Sequence, residues 1–236
     1  MEELNKSADL FYLVEKRKHE PKESFKFTYQ MVKDFLNTVP QPSIADIGCA
    51  TGEFIYYLNT VYSNAHYFGY DINPQLVARA KAEVPFATID TLDITKKEQL
   101  PSERFDLVFM NGVNGAFENP YDWLPNFLSL LKENGRAYVY GIFNPDDLDV
   151  IVRVRKPEDS EGYISYWNNI SQKTISKVAK ELGYRATFYP FKINIDIQKN
   201  LDNPFRSWTF KLENGERALI NGTQVLHNFY LLEMRK

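Results

Sequence analysis

Along the chain, apolar positions first recur at helical spacing and then switch to short runs closed by turn residues. Residues 1–39 read as helical. Leu10, Phe11, Leu13 and Val14 form one patch, and a second runs from Phe25 to Leu36, with Met31, Phe35 and Leu36 on a shared face. Pro40-Gln41-Pro42 ends that segment. Strand and helix then alternate. Residues 43–47 are a short apolar run, followed by a glycine turn (Gly48 to Gly52) and a helix-dense stretch at 54–58. Further runs at 66–70, 86–89, 105–109 and 136–140 read as strands two to five, the last entered through a turn at Asn134-Gly135. Asn73 caps a helix with Pro74 at its first position and Leu76, Val77, Ala80 and Val84 on its buried side, and residues 123–131 predict another helix. Five strands interleaved with helices imply an α/β fold, a doubly wound and mostly parallel sheet with right-handed crossovers. Such sheets bind ligands beyond the carboxyl ends of their strands, near the reversal of strand order.

The last third is patterned differently. Residues 143–170 are too long for a plain connection and read as an inserted lid. Ser171 caps a helix running to Leu182 and ended by Gly183. Residues 184–197 read as one long strand or two short ones. Residues 207–212, 216–220 and 226–234 alternate like antiparallel strands, with Asn214-Gly215 and Asn221-Gly222 as hairpin turns. The expected organisation is a single domain: an N-terminal helical cap (1–39), a binding core (43–142), the lid (143–170), and a C-terminal helix and strands (171–236).

Composition narrows the function. Among 236 residues, 28 Lys and Arg face 31 Asp and Glu, a net charge of −3, which argues against a general nucleic-acid binder. The single cysteine, Cys49, excludes a disulfide framework and a cysteine-rich zinc site, and no metal is expected. No apolar run has membrane-spanning length, and the first twenty residues lack the apolar core of a signal peptide, so a cytoplasmic protein without membrane partners is expected.

The strongest local signal is DIGCATGEF, residues 46–54, at the joint of the first strand and the following helix. Glycines there let a ligand approach the backbone, and a helix N-terminus offers N–H groups to an anion. Asp71 follows at the end of the second strand, where a carboxylate can accept hydrogen bonds from both ribose hydroxyls. The turn lacks the G-x-G-x-x-G spacing of dinucleotide folds, since position 50 is Ala and position 53 is Glu. This reads as a nucleoside site with no pyrophosphate to cradle.

These motifs resemble those of the class I (Rossmann-like) S-adenosylmethionine-dependent methyltransferases. DIGCATGEF is similar to their first motif, YFGYDIN (67–73) to the second, and Ile89 to Ile94 to the third. FDLVFMNGV (105–113) is similar to the fourth, and LKENGRAYVYG (131–141) to the segment entering the fifth strand. The resemblance covers residues 43–142 and implies a seven-stranded sheet with an antiparallel C-terminal end. It implies S-adenosylmethionine as cofactor and S-adenosylhomocysteine as product. The backbone of Gly48, Cys49 and Ala50, in the turn closed by Gly52, would face the methionine part, with Asp46 on its amine. Asp71 would hold the ribose and Ile72 pack on the adenine. Asp93, with Asp90 as competitor, would accept from the adenine amino group, beside the Ile94 N–H. Asn111 would lie near the sulfonium. Cys49 is read as a backbone-contact residue, not a nucleophile.

No catalytic base stands out among His19, His66 and His227. Methyl transfer by in-line displacement needs alignment more than proton transfer. Asn114 and Glu118, which follow the fourth strand, and Tyr166 and Trp167 in the lid are the substrate-binding candidates. The fourth motif is not the N-P-P-[YF] of enzymes that methylate planar amino groups, and no cysteine outside the glycine loop could serve cytosine C5 chemistry. The expectation is transfer to oxygen or nitrogen of a small molecule. The rivals are a non-catalytic regulatory protein that binds S-adenosylmethionine and a methyltransferase with a protein or RNA acceptor.

Overall fold

The computed structural model describes residues 12–13, 19–157 and 162–236. Of the N-terminal helical expectation, Tyr12 and Leu13 are helical, the patch at Leu10, Phe11 and Val14 lies outside the described residues, and α1 spans Glu23–Leu36.

The strands that follow are β1 (Ser43–Ile47), β2 (His66–Asp71), β3 (Thr88–Thr91), β4 (Phe105–Asn111) and β5 (Leu131–Ile142), with β8 (Arg185–Pro190) and β11 (Phe229–Arg235) completing a seven-stranded sheet. Its order is β3-β2-β1-β4-β5-β11-β8. The first five strands are parallel, and β11 runs antiparallel to both β5 and β8. Strand order reverses between β1 and β4, so the carboxyl ends of these two strands border the expected crevice.

Period-two alternation sends β-strand side chains to two separate cores. Ile44, Leu107 and Phe109 meet α1, α2 (Glu53–Val61) and α3 (Pro74–Glu83) on one face. Ala45, Val108 and Met110 meet α4 (Leu124–Ser129) and α5 (Gln172–Glu181) on the other. Both expected caps form: Asn73 accepts from the Gln75 N–H at 2.9 Å and Ser171 from the Thr174 N–H at 3.1 Å. No described helix is long and apolar enough to cross a membrane.

Four elements differ from the sequence reading. Of the 184–197 run, only Arg185–Pro190 forms a strand. The third strand starts two residues later, because Phe86 stays outside and packs edge-on to Tyr67. Asn134-Gly135 is no separate turn but a bulge inside β5, where the register steps from Phe105–Leu131 to Leu107–Arg136. Asn221-Gly222 is not a hairpin between sheet neighbours. β9 (Trp208–Lys211) and β10 (Arg217–Ile220) pair only with each other, so residues 191–228 leave the sheet as an excursion. Residues 143–170 form another, carrying β6 (Arg153–Val154) and β7 (Ile164–Ser165). The two excursions begin at the carboxyl ends of β8 and β5, on the rim where the crevice opens.

Candidate active site

The glycine loop between β1 and α2 closes on itself. The N–H groups of Gly48 and Cys49 donate to the Tyr70 carbonyl at 2.7 and 3.0 Å, and Gly52 donates to Cys49. The Ala50 N–H donates to the Asp71 carboxylate at 2.8 Å, and the other carboxylate oxygen accepts from the Asn73 N–H at 3.0 Å. These four loop donors are spent inside the protein. What the loop offers a ligand is bare main chain, which suits a nucleoside with an amino-acid tail better than a pyrophosphate. Gly48 sits at φ +77°, and a Cβ there would lie 2.4 Å from Cγ2 of Val113, so its lack of a side chain also lets the β4 loop pack against the turn.

Asp46, at the end of β1, is buried, and the Asn111 amide donates to its carboxylate at 3.1 Å. Burial pushes its pKa up to about 7, and repulsion from Asp71 adds to this; the Asn111 hydrogen bond and the Lys22 charge act the other way. Lys22 pairs with Glu53 at 2.9 Å and lies over the rings of Phe25 and Tyr12. Sequence reasoning missed this Lys22–Glu53 pair, which brings a cation from the N-terminal segment to the glycine loop. Its only signal was the acidic residue in the first turn of α2. Cys49 is buried with its thiol pKa pushed well up, which keeps it an unreactive thiol at neutral pH.

Ile72, directly after β2, is 59% exposed. Asp93 accepts from both the N–H and the hydroxyl of Thr95, at 3.0 and 2.7 Å, while Asp90 is exposed and accepts from the neighbouring Thr91 N–H. Ile94 is buried beneath this turn.

Beyond Asn111, a small cleft, partly open to solvent, lies between the ends of β4 and β5. Gly112, Asn114, Gly141, Ile142, Tyr166, Trp167 and Phe229 are among its walls. Asn114, Tyr166 and Trp167 thus come together from two distant segments. The Asn114 amide donates to the Ile142 carbonyl at 3.0 Å, so this side chain shapes the cleft floor. Glu118 is absent from the described lining. Its carboxylate takes a bidentate pair from Arg153 at 3.0 and 2.9 Å, which ties the β4 loop to β6.

The three histidines separate clearly. His66 is exposed at the amino end of β2, away from the crevice, and His19 is exposed with its ring edge-on to Tyr56. His227 is 4% exposed and stacks on Trp167 beside the cleft, with desolvation pulling its pKa down to about 4. It is a neutral ring at physiological pH.

Residues 45–137 match the methyltransferase domain family. The fold agrees with magnesium protoporphyrin IX methyltransferase from Synechocystis PCC 6803 with bound S-adenosylhomocysteine. The TM-score is 0.56 at 13% identity, over 91% of this chain and 82% of that one. Residues 45–137 thus carry a methyltransferase domain, and the strand order and glycine loop share the fold of that Rossmann-like neighbour. Among curated relatives, tRNA U34 carboxymethyltransferase of Campylobacter jejuni is 26% identical over 195 residues, 79% of this chain and 64% of that protein. Trans-aconitate 2-methyltransferase of Escherichia coli is 30% identical over 104 residues, 44% of this chain and 39% of that protein. The chain therefore spans less than two thirds of the length of each.

Proposed function

We propose that this methyltransferase moves a methyl group from S-adenosylmethionine to an oxygen or nitrogen of a small, neutral acceptor seated between the ends of β4 and β5. Three features fit the cofactor: bare main chain at Gly48 to Ala50, a buried carboxylate at Asp46, and an exposed apolar side chain at Ile72. Asp46, bridged to Asn111, would take the methionine amine. Asp71, at the end of β2, would take the ribose. Ile72 would cover the adenine, and Asp93 with the Ile94 N–H would meet its amino edge. Bound there, S-adenosylmethionine supplies an electrophilic methyl group on a sulfonium whose departing thioether needs no protonation. The chain's own task is orientation and exclusion of water, and orientation alone supplies on the order of 7–11 kcal/mol in favourable cases.

The observation that carries the acceptor assignment is the cleft lining. Among the described residues it includes aromatic, aliphatic and small side chains and no formally charged one. A tricarboxylate or a phosphate chain needs Lys or Arg near its charges. The likeness to a tRNA carboxymethyltransferase favours a second reading, an RNA acceptor that meets the protein outside this cleft. Incubation with methyl-labelled S-adenosylmethionine and separate metabolite, RNA and protein fractions tests the choice. Label in the metabolite fraction supports the proposal. Label in RNA or protein selects that acceptor instead, and cofactor uptake without transfer to any fraction marks a regulatory binder.

A further inference from the structure

The two excursions meet beside the cleft, where the Phe143 N–H donates to the Asn228 carbonyl at 3.1 Å and two rings stack. The Trp167 ring, from residues 143–170, lies parallel to the His227 ring, from residues 191–228, with centroids 5.0 Å apart and planes 7° from parallel. Both residues are pinned. The N–H of Asn168 donates to the Gly115 carbonyl at 2.9 Å, and that of His227 to the Leu219 carbonyl at 2.8 Å. Trp167 is held at φ +62°, a left-handed conformation rare for so bulky a side chain and commonest where a site demands it. Trp167 Nε1 and His227 Nε2 are buried, and neither has a hydrogen-bond partner among the described residues. Folded domains hold few such orphaned groups, and each asks for an explanation. Two of them on facing rings, one lining the acceptor cleft, point to a ligand that meets both.

We propose that Trp167 and His227 form the acceptor-recognition pair, and that the acceptor is a neutral, largely apolar compound bearing a hydroxyl or amine that donates to His227 Nε2 and a neighbouring oxygen that accepts from Trp167 Nε1. This rests on reading the cleft as the acceptor site. His227 Nδ1 lies 3.4 Å from the Ser207 hydroxyl, and the tautomer that donates there leaves Nε2 as an acceptor. The low pKa of this buried ring suits it to holding a proton-bearing group in place, not to removing the proton. Phe229, stacked on Tyr140 at 5.3 Å, continues the apolar wall below the pair. A site built to hydrogen-bond a hydroxyl rejects the analogue that lacks it, which makes the pair a specificity determinant.

Two probes test this directly: guaiacol, which carries a hydroxyl beside a methoxy oxygen, and 1,2-dimethoxybenzene, in which the donor is gone. Each is titrated by calorimetry into the full chain, alone and saturated with S-adenosylhomocysteine, and the His227 ring nitrogens are followed by NMR. The pair predicts that guaiacol binds about tenfold tighter and moves the Nε2 resonance. His227→Phe keeps the stack but removes the acceptor, so the preference should vanish while S-adenosylhomocysteine affinity is unchanged. Trp167→Phe should weaken both probes. Equal binding of the two probes, binding of neither, or a preference that survives His227→Phe overturns the assignment; the wild-type comparison holds even if a variant fails to fold. Loss of S-adenosylhomocysteine uptake with the guaiacol preference intact would count against the cofactor reading alone.

Discussion

The backbone N–H of Ala50 donates to the carboxylate of Asp71 at 2.8 Å, tying the glycine loop to the end of the neighbouring strand. The residue expected to grip the ribose is thus also the one that sets the loop against which the rest of the cofactor would lie. On the proposed reading, cofactor binding and local folding would share one carboxylate.

Asp71→Asn keeps the shape but offers one acceptor where two N–H groups donate. Hydrogen bonds to a charged group contribute about 1.5–3 kcal/mol. A loss of stability of that order is expected in urea titration, together with weaker S-adenosylhomocysteine binding. A variant as stable as wild type would show that the loop does not depend on this bond.

Asp46 gives a pH signature. Burial raises its pKa to about 7, so the folded protein holds the proton more tightly than the unfolded chain, whose carboxyl titrates near its ordinary value of 3.8. The desolvation penalty is absent below that value and develops as pH rises toward about 7, so unliganded stability falls across this window. The same ionisation creates the partner for a ligand ammonium, so S-adenosylhomocysteine affinity should rise from pH 6 to 8 as Asp46 loses its proton. Asp46→Asn should flatten the affinity profile and melt higher than wild type at pH 8. Affinity independent of pH in wild type would remove Asp46 from the amine.

Gly48→Ala places a Cβ against Val113 at a positive φ. A destabilisation of at least about 1 kcal/mol is expected from the backbone alone. Val113→Ala in the same chain should recover the steric part, and a double-mutant cycle measures that coupling. Additive effects would mean that the loop yields to the methyl group without cost.

Gly141→Ala reaches the proposed acceptor cleft without touching the glycine loop. Its Cβ would fall 1.7 Å from the Asn114 side-chain oxygen, forcing that amide off the Ile142 carbonyl. The KM for acceptor should rise severalfold while S-adenosylhomocysteine affinity, read by calorimetry, stays unchanged. A shift in cofactor affinity alone would place Asn114 in the cofactor site instead.

The amino half of the fold was legible because its strands are buried on both faces and read as apolar runs between turns, as at Ile44 to Ile47. Asp46 and Asp71 were legible because strand ends fix their places. The 191–228 excursion was not: β9 and β10 alternate as sheet strands do, and nothing local shows that they pair only with each other. Lys22 with Glu53, and Trp167 with His227, join segments far apart in the chain, so Trp167 could be read as a lid candidate but neither pairing could. The register of β3 was missed because Phe86 is apolar yet lies outside.

The most direct measurement is calorimetric titration of the folded full chain with S-adenosylhomocysteine, beside Asp71→Asn shown by circular dichroism to be folded. One saturable site per chain in wild type, at least about tenfold weaker in the variant, is the predicted result. No uptake by folded wild-type protein, or equal uptake by both, would contradict an adenosyl ligand held at the tips of β1 and β2.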